Sequence, residues 1–297
     1  MRLIDFFFAL RPLVLVPAWS FFILGYGLGQ DGDTDSPPFP WLRFLLMSLI
    51  LAGVHLVNQI ADFEADRVNG KGFFLQRGIF SRRLYAAVAG ASLAAGLGIA
   101  AARHASPGLL AATAGLGLAY SIPPLRLAAR PGFDLLANAF GYGALALLLG
   151  ADAPAVAGAW WFRLACCALS VGAVFLHTTL LDLDGDRRTG KVTTGLAIGA
   201  ARTRPAAALL ALAGAAAAAR AAAPVLLCGG AALGVLTAAA AAWPDRVSSR
   251  TVCVAGTGLF ALAAGACVPL FPACVALLVV ATRLFYKRRF ALAYPAL

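Results

Sequence analysis

The chain has 297 residues, 61% hydrophobic and 12% charged, with 24 Lys and Arg against 13 Asp and Glu. Soluble domains are about 25% charged, so the composition excludes a soluble Rossmann or barrel enzyme, a disordered chain and a secreted disulfide scaffold. Uncharged stretches of about 18 residues or more recur throughout, each long enough to cross a bilayer, and the formal charge of +11 reads as positive-inside bias rather than nucleic-acid binding.

In chain order, the apolar N-terminal run continues past any small-residue cleavage site and reads as a first span, not a signal peptide. Spans are predicted at 13–29, 41–61, 84–102, 108–121, 134–151, 160–181, 206–222, 224–242 and 251–281. Breakers separate them at 31–40, Ser106-Pro107, Ile122-Pro123-Pro124, Ala223-Pro224 and Trp243-Pro244. The expected fold class is all-α: a polytopic transmembrane bundle of about nine helices forming one domain over 1–297. The Ala-rich tract at 206–223 supplies small residues for close helix packing. Cys166, Cys167, Cys228, Cys253, Cys267 and Cys274 all fall within apolar runs and read as small buried hydrophobes. The last stretch contains Pro269 and Pro272, so it is either one long kinked helix or two short passes that return the basic tail.

Orientation follows from the connections. Arg67, Lys71, Arg77, Arg82, Arg83, Arg126, Arg130, Arg187, Arg188, Lys191, Arg202, Arg204, Arg246 and Arg250 lie on one side, against Arg43, Arg103, Arg163 and Arg220 on the other. The richer side is expected to be cytoplasmic. A prokaryotic cytoplasmic membrane with an inward-facing site is the implied location.

Six acidic residues sit in two short segments at the cytoplasmic ends of spans. The first runs Asn58-Gln-Ile-Ala-Asp62-Phe-Glu64-Ala-Asp66-Arg67-Val-Asn-Gly70-Lys71 and the second Asp182-Leu-Asp184-Gly-Asp186-Arg187-Arg-Thr-Gly190-Lys191. A shift of 120 aligns Asp62, Glu64, Asp66, Arg67, Gly70 and Lys71 with Asp182, Asp184, Asp186, Arg187, Gly190 and Lys191. That is an internal duplication. Spacing of four stacks Asn58, Asp62 and Asp66 on one helix face, and Asp182 with Asp186 on another. Carboxylates near membrane depth are costly unless paired or metal-bound. Two facing stripes make a cage of hard oxygen ligands suited to Mg²⁺, with Arg67, Lys71, Arg187 and Lys191 placed to neutralise a diphosphate. Interfacial salt bridges capping helix ends are the competing reading, and the duplication with matched basic flanks argues against it.

These motifs resemble the UbiA superfamily of intramembrane prenyltransferases, with N-x-x-x-D-x-x-x-D after the second span and D-x-x-x-D after the sixth. Tyr120-Ser121-Ile-Pro123-Pro124-Leu-Arg126 and Arg11-Pro12 also fit, while Phe73-Phe74-Leu75-Gln76-Arg77-Gly78 replaces the usual Arg-Pro element. The resemblance implies a UbiA-like bundle related to isoprenoid synthases. It implies Mg²⁺ at Asn58, Asp62, Asp66, Asp182 and Asp186, with the four aspartates catalytic. The substrate would be a prenyl diphosphate, with departure of diphosphate leaving an allylic cation for an aromatic or lipid-like acceptor to attack, as in quinone biosynthesis. Tyr120, Ser121 and Arg126 would join the substrate site, and segments 67–83 and 187–204 would cap it. Four-residue spacing puts Asp134, Asn138 and Tyr142 on one face of the fifth span; Asn138 and Tyr142 are expected to line the pocket, while Asp134 is either a pocket residue or a charge favoured at the helix N-terminus. His55 is a candidate pocket residue or supporting partner, whereas His177 faces elsewhere and His104 lies at the surface. A terpene cyclase of the same superfamily and a cation-coupled transporter with midplane carboxylates are the alternatives.

Overall fold

The computed structural model describes residues 3–30, 38–151 and 157–294, so positions 31–37 of the predicted breaker at 31–40 lie outside the described residues. The described chain is helical throughout: α1 (Leu3–Ala9), α2 (Pro12–Gly29), α3 (Trp41–Ala61), α4 (Phe63–Val68), α5 (Phe73–Gln76), α6 (Arg82–Ala102) and α7 (Pro107–Ser121). A short 3₁₀ turn (Leu127–Ala129) leads to a fifth span made of α8 (Phe133–Asn138), a π-helical stretch (Ala139–Leu145) and α9 (Ala146–Ala151). Then follow α10 (Ala159–Leu181), α11 (Leu183–Thr189), α12 (Thr194–Ile198), α13 (Ala200–Arg220), α14 (Pro224–Ala242), α15 (Ser249–Ala264) and α16 (Phe271–Phe290).

The duplication reaches far beyond the acidic segments. Moving 120 residues along the chain carries α2 onto the fifth span, α3 onto α10, α6 onto α13 and α7 onto α14, each within a few residues. Packing repeats too: α3 lies against α6 as α10 lies against α13. In lipid there is little hydrophobic drive between helices, so close backbone approach must supply the attraction. Gly25 of α2 and Gly150 of α9 do this, since a Cβ at either would overlap a carbonyl of the facing helix, Leu147 O and Phe22 O respectively.

Six of the described helices are long and apolar enough to cross a membrane. The outer surface is that of a bilayer protein, with Leu270 74% and Val235 71% exposed. In water such faces would demand a partner.

The final stretch is two helices rather than one kinked rod. The chain turns between Ala264 and Phe271, where Pro269 cannot donate to a continuous ladder, and Pro272 falls in the first turn of α16, where its missing N–H is tolerated. α16 packs on α15 and α2, and its C-terminal end meets α1 and α5 through Phe8, Phe74, Phe80, Tyr286 and Phe290. Arg289 donates to Asp5 at 3.2 Å. The basic tail therefore ends at the same end of the bundle as the first acidic segment. A last helix that returns to that end removes the conflict between the tail charges and the orientation bias.

Candidate active site

Each acidic segment is a helix broken at its first aspartate. α3 stops at Ala61, Asp62 adopts φ −95° and ψ 15°, and α4 resumes at Phe63. α10 stops at Leu181, Asp182 adopts φ −109° and ψ 2°, and α11 resumes at Leu183. Asp66 N still donates to Asp62 O at 2.8 Å and Asp186 N to Asp182 O at 3.0 Å, so the four-residue stacking survives the break. Both segments end in the same way. Gly70 (φ +65°) and Gly190 (φ +69°) take the left-handed conformation, and Lys71 N and Lys191 N return to Asp66 O and Asp186 O at 2.7 and 2.9 Å. This is the Schellman closure, which throws each lysine back across its own segment.

The two segments meet where α4 crosses α11. Gly185, equivalent to Ala65 under the 120-residue shift, sits against Asn69 and the Ala65 carbonyl, where a Cβ would not fit. Asn69 accepts from Gly185 N at 3.0 Å and donates toward the Asp182 carbonyl at 3.4 Å. The result is a crosswise exchange. Lys71 of the first segment pairs with Asp182 of the second, and Lys191 of the second pairs with Asp62 of the first at 2.9 Å.

Beneath this exchange lies a cavity of about 420 Å³. Its mouth carries Arg11, Asn58, Asp62, Asp66, Lys71, Asp182 and Lys191, and its interior is lined chiefly by apolar side chains of α2, α3, α7, α10 and α15. Tyr120, Asn138 and Tyr142 also line it, with Tyr120 hydrogen-bonded to Asn138. Asn58 donates to Asp62 at 3.2 Å and to Ser121 at 3.4 Å, which gives Ser121 a supporting place behind the lining. Asp186 is buried just outside the cavity, accepting from Thr193 at 3.2 Å with Lys191 at 3.9 Å. Burial pushes its carboxyl up to about 6, helped by Asp182 and Asp62 nearby. Burial likewise raises Asp66, against Arg11 and Lys71, which favour its charge. Burial works against the Lys191 ammonium, but Asp62, Tyr120 and Asp186 hold its pKa above the ordinary value.

Five predicted site residues do not line the cavity: Asp186 and Ser121 sit just behind it, and three arginines lie at the surface. Arg67 pairs with Glu64 at 2.9 Å on the surface, and Arg126 and Arg187 are exposed. Asp134, from the same predicted face as Asn138 and Tyr142, is fully buried and serves the second connection: it accepts from Thr194 N at 2.7 Å and from the Thr194 hydroxyl. His177 bonds Ser249 at 3.1 Å, away from the cavity lining. Two features went beyond the predicted site. Arg11 holds a left-handed backbone (φ +57°) before α2 and faces Asp66 with Tyr286 and Tyr294 about it; the Arg11-Pro12 pair was its sequence signal. His55 bonds Tyr142 across the cavity, a partnership between positions 87 apart that no local pattern announces.

The donor set is hard oxygen with cationic side chains between, chemistry that suits Mg²⁺ with phosphate. Among the described residues, no three His, Cys, Asp or Glu side chains already form a metal cluster, and Lys71 and Lys191 pair with Asp182 and Asp62.

The model of the UbiA prenyltransferase family matches residues 18–245. The chain belongs to that family. Its six described helices long and apolar enough to span a bilayer fit an integral membrane protein of that family. A lycopene elongase/hydratase from Haloferax volcanii is 34% identical over 168 residues, covering 52% of this chain and 52% of that protein, so the likeness spans about half of the relative. Among solved structures, a UbiA homologue from Archaeoglobus fulgidus bound to GPP and Mg²⁺ superposes with a TM-score of 0.70 at 19% identity, over 90% of this chain and 97% of that one. The same homologue bound to DMAPP and Mg²⁺ gives 0.67 at 19% identity, over 88% and 98%. At such identities the structural likeness speaks for the fold, which is the UbiA fold.

Proposed function

We propose that this family member carries out Mg²⁺-dependent transfer of an isoprenoid chain from a prenyl diphosphate to an aromatic or lipid-like acceptor, as in quinone and related isoprenoid biosynthesis. The observation that carries it is the crosswise lysine–aspartate exchange at the mouth of a mainly apolar cavity. A diphosphate needs cations and a polyprenyl tail needs hydrocarbon, and the two requirements are met at opposite ends of one cavity.

Asn58, Asp62, Asp66, Asp182 and Asp186 would hold the metal, which when bound neutralises charge growing on the leaving diphosphate. Lys71, Lys191 and Arg11 would bind the diphosphate oxygens, the lysines turning from carboxylate to phosphate as substrate enters. The apolar walls exclude water from the allylic cation. Segments 67–83 and 187–204 would close the site from the cytoplasm, in the cytoplasmic membrane of a prokaryote. The relative from Haloferax volcanii supports the lipid-like branch of the acceptor choice.

The test is a screen of dimethylallyl, geranyl, farnesyl and geranylgeranyl diphosphates against hydroxybenzoates, naphthoates, homogentisate, tetrapyrroles and lycopene. It is read by mass spectrometry, with Mg²⁺ and with chelator. Coupled product and diphosphate that both vanish with chelator are the expected result. Acceptor-independent cyclic terpenes would indicate a cyclase instead, and ion uptake without diphosphate release would indicate transport.

A further inference from the structure

The cavity is asymmetric where the duplication is not. At the level of α3 one turn below Asn58 stands His55, whereas the equivalent position on α10 is Phe175. The α10 side presents Val171, Val174 and Phe175, with the Ser170 and Thr178 hydroxyls as its polar groups. The α3 side is closed by Tyr142, delivered by the π-helical stretch. π turns are rare, and they re-aim side chains at functional sites. His55 is 8% exposed, its Nε2 is engaged with the Tyr142 hydroxyl, and its Nδ1 is buried without a partner. A buried ring nitrogen left unpaired is costly unless something is meant to reach it.

Depth fixes what that could be. His55 lies seven residues before Asp62 on one continuous helix, about 10 Å further from the diphosphate end. The leaving group is therefore remote from it. The charged groups lining the cavity are Arg11, Asp62, Asp66, Lys71, Asp182 and Lys191, all gathered at the mouth. Around His55 the lining is Leu51, Val54, Leu116 and Ala137, and the last two also face an apolar groove of about 370 Å³ beside Phe133 and Phe140. An acceptor on this side meets mostly hydrocarbon, with the His55 imidazole and the Thr113, Tyr120, Asn138 and Tyr142 side chains as its polar groups.

We propose, building on the prenyl-transfer reading, that the acceptor is an apolar polyene lying against α3, α7 and the fifth span, and that His55 takes the proton that ends the reaction. The allylic C–O bond breaks with its electron pair going to diphosphate, and a π pair of the polyene forms the new C–C bond. That leaves a tertiary cation on the acceptor. A neighbouring C–H bond then breaks, its electrons form a C=C bond, and the proton goes to His55 Nδ1. Tyr142 sets this up by accepting from Nε2–H, which fixes the tautomer whose buried Nδ1 keeps an unshared lone pair. A carbocation is so strong an acid that a neutral imidazole suffices, and no charged base has to be kept in the apolar interior.

The experiment uses the full-length protein in lipid nanodiscs with Mg²⁺, dimethylallyl diphosphate and lycopene. It compares the wild type with His55→Gln and Tyr142→Phe, reading the ratio of alkene adduct to adduct heavier by one water. Gln keeps a hydrogen bond to Tyr142 but cannot take up a proton. The expected wild-type product is the alkene adduct, with the ratio falling at least tenfold in His55→Gln and severalfold in Tyr142→Phe, at unchanged melting temperature. An unchanged ratio in His55→Gln, or a wild-type product that is already hydrated, overturns the proton-acceptor role. Diphosphate release without any lycopene adduct overturns the polyene acceptor. A wild type that releases no diphosphate under any acceptor overturns the prenyl-transfer reading itself.

Discussion

Lys191 reaches out of the second acidic segment to Asp62 of the first, at 2.9 Å, while its own segment supplies Asp186 at 3.9 Å. Its duplicate, Lys71, answers Asp182. The two pairs are related by the duplication but not by environment. The Lys191–Asp62 side chains are 10% and 14% exposed, against 33% and 27% for Lys71–Asp182. Breaking a buried pair strands a charge at about 3–5 kcal/mol, whereas the more exposed pair is screened. Lys191→Met should therefore lower the melting temperature clearly more than Lys71→Met, although both should weaken binding of a prenyl diphosphate. Thermal unfolding of the two variants side by side checks this, and equal losses would count against the environment argument.

Asp62→Asn and Asp182→Asn remove one carboxylate charge each while keeping shape. If these residues hold the metal, either change should cut Mg²⁺-dependent diphosphate release by at least 100-fold, with little loss of folded protein. Raising Mg²⁺ should recover part of the rate if affinity is what was lost. Arg67→Ala, by contrast, alters a surface pair with Glu64 and should leave the rate within about twofold, since exposed pairs contribute little. Steady-state release at several Mg²⁺ concentrations separates these cases.

How the duplicated motif could be read, and what it hid, follows from range. Asn58, Asp62 and Asp66 are local, four residues apart, and the stacking they promised survives in the backbone hydrogen bonds. The equivalence of Lys71 with Lys191 was also plain. That each lysine would serve the other segment was not, because it depends on α4 crossing α11 and on the room that Gly185 leaves. The break at Asp62 and Asp182 carried no Pro or Gly to mark it. Asp134, Asn138 and Tyr142 obey helical spacing, yet the π-helical stretch and the bond from Asp134 to Thr194 send them to different duties. The spans themselves were legible from hydropathy. Whether 251–281 made one pass or two was decided by packing of α16 against α1 and α5, which no local window contains.

The return of the tail makes a topological prediction. Cysteines placed at Arg187, Arg83 and Arg288, in a background lacking native Cys228 and Cys274, should all react with a membrane-impermeant thiol reagent from the cytoplasmic side. A cysteine at Arg103 should react from the other side only. Arg288 grouping with Arg103 would restore a nine-pass chain and contradict the Arg289–Asp5 pair.

The crossing at Gly185 is the narrowest point in the arrangement. A Cβ there would overlap the Asn69 side-chain amide and come within 2.7 Å of the Ala65 carbonyl, which is backbone and cannot swing aside. Gly185→Ala must therefore push α11 off α4, and with it Asp182 off Lys71 and Lys191 off Asp62. Overpacking of this kind costs about 1–3 kcal/mol, small beside its geometric effect on groups that must converge to within hydrogen-bond reach. The expected outcome is a modest drop in melting temperature with at least a tenfold drop in diphosphate release. Asn69→Ala on top of Gly185→Ala removes half of the clash but leaves the carbonyl, so it should recover stability more than rate. Full activity in Gly185→Ala would mean that the two segments need not meet for the chemistry to proceed.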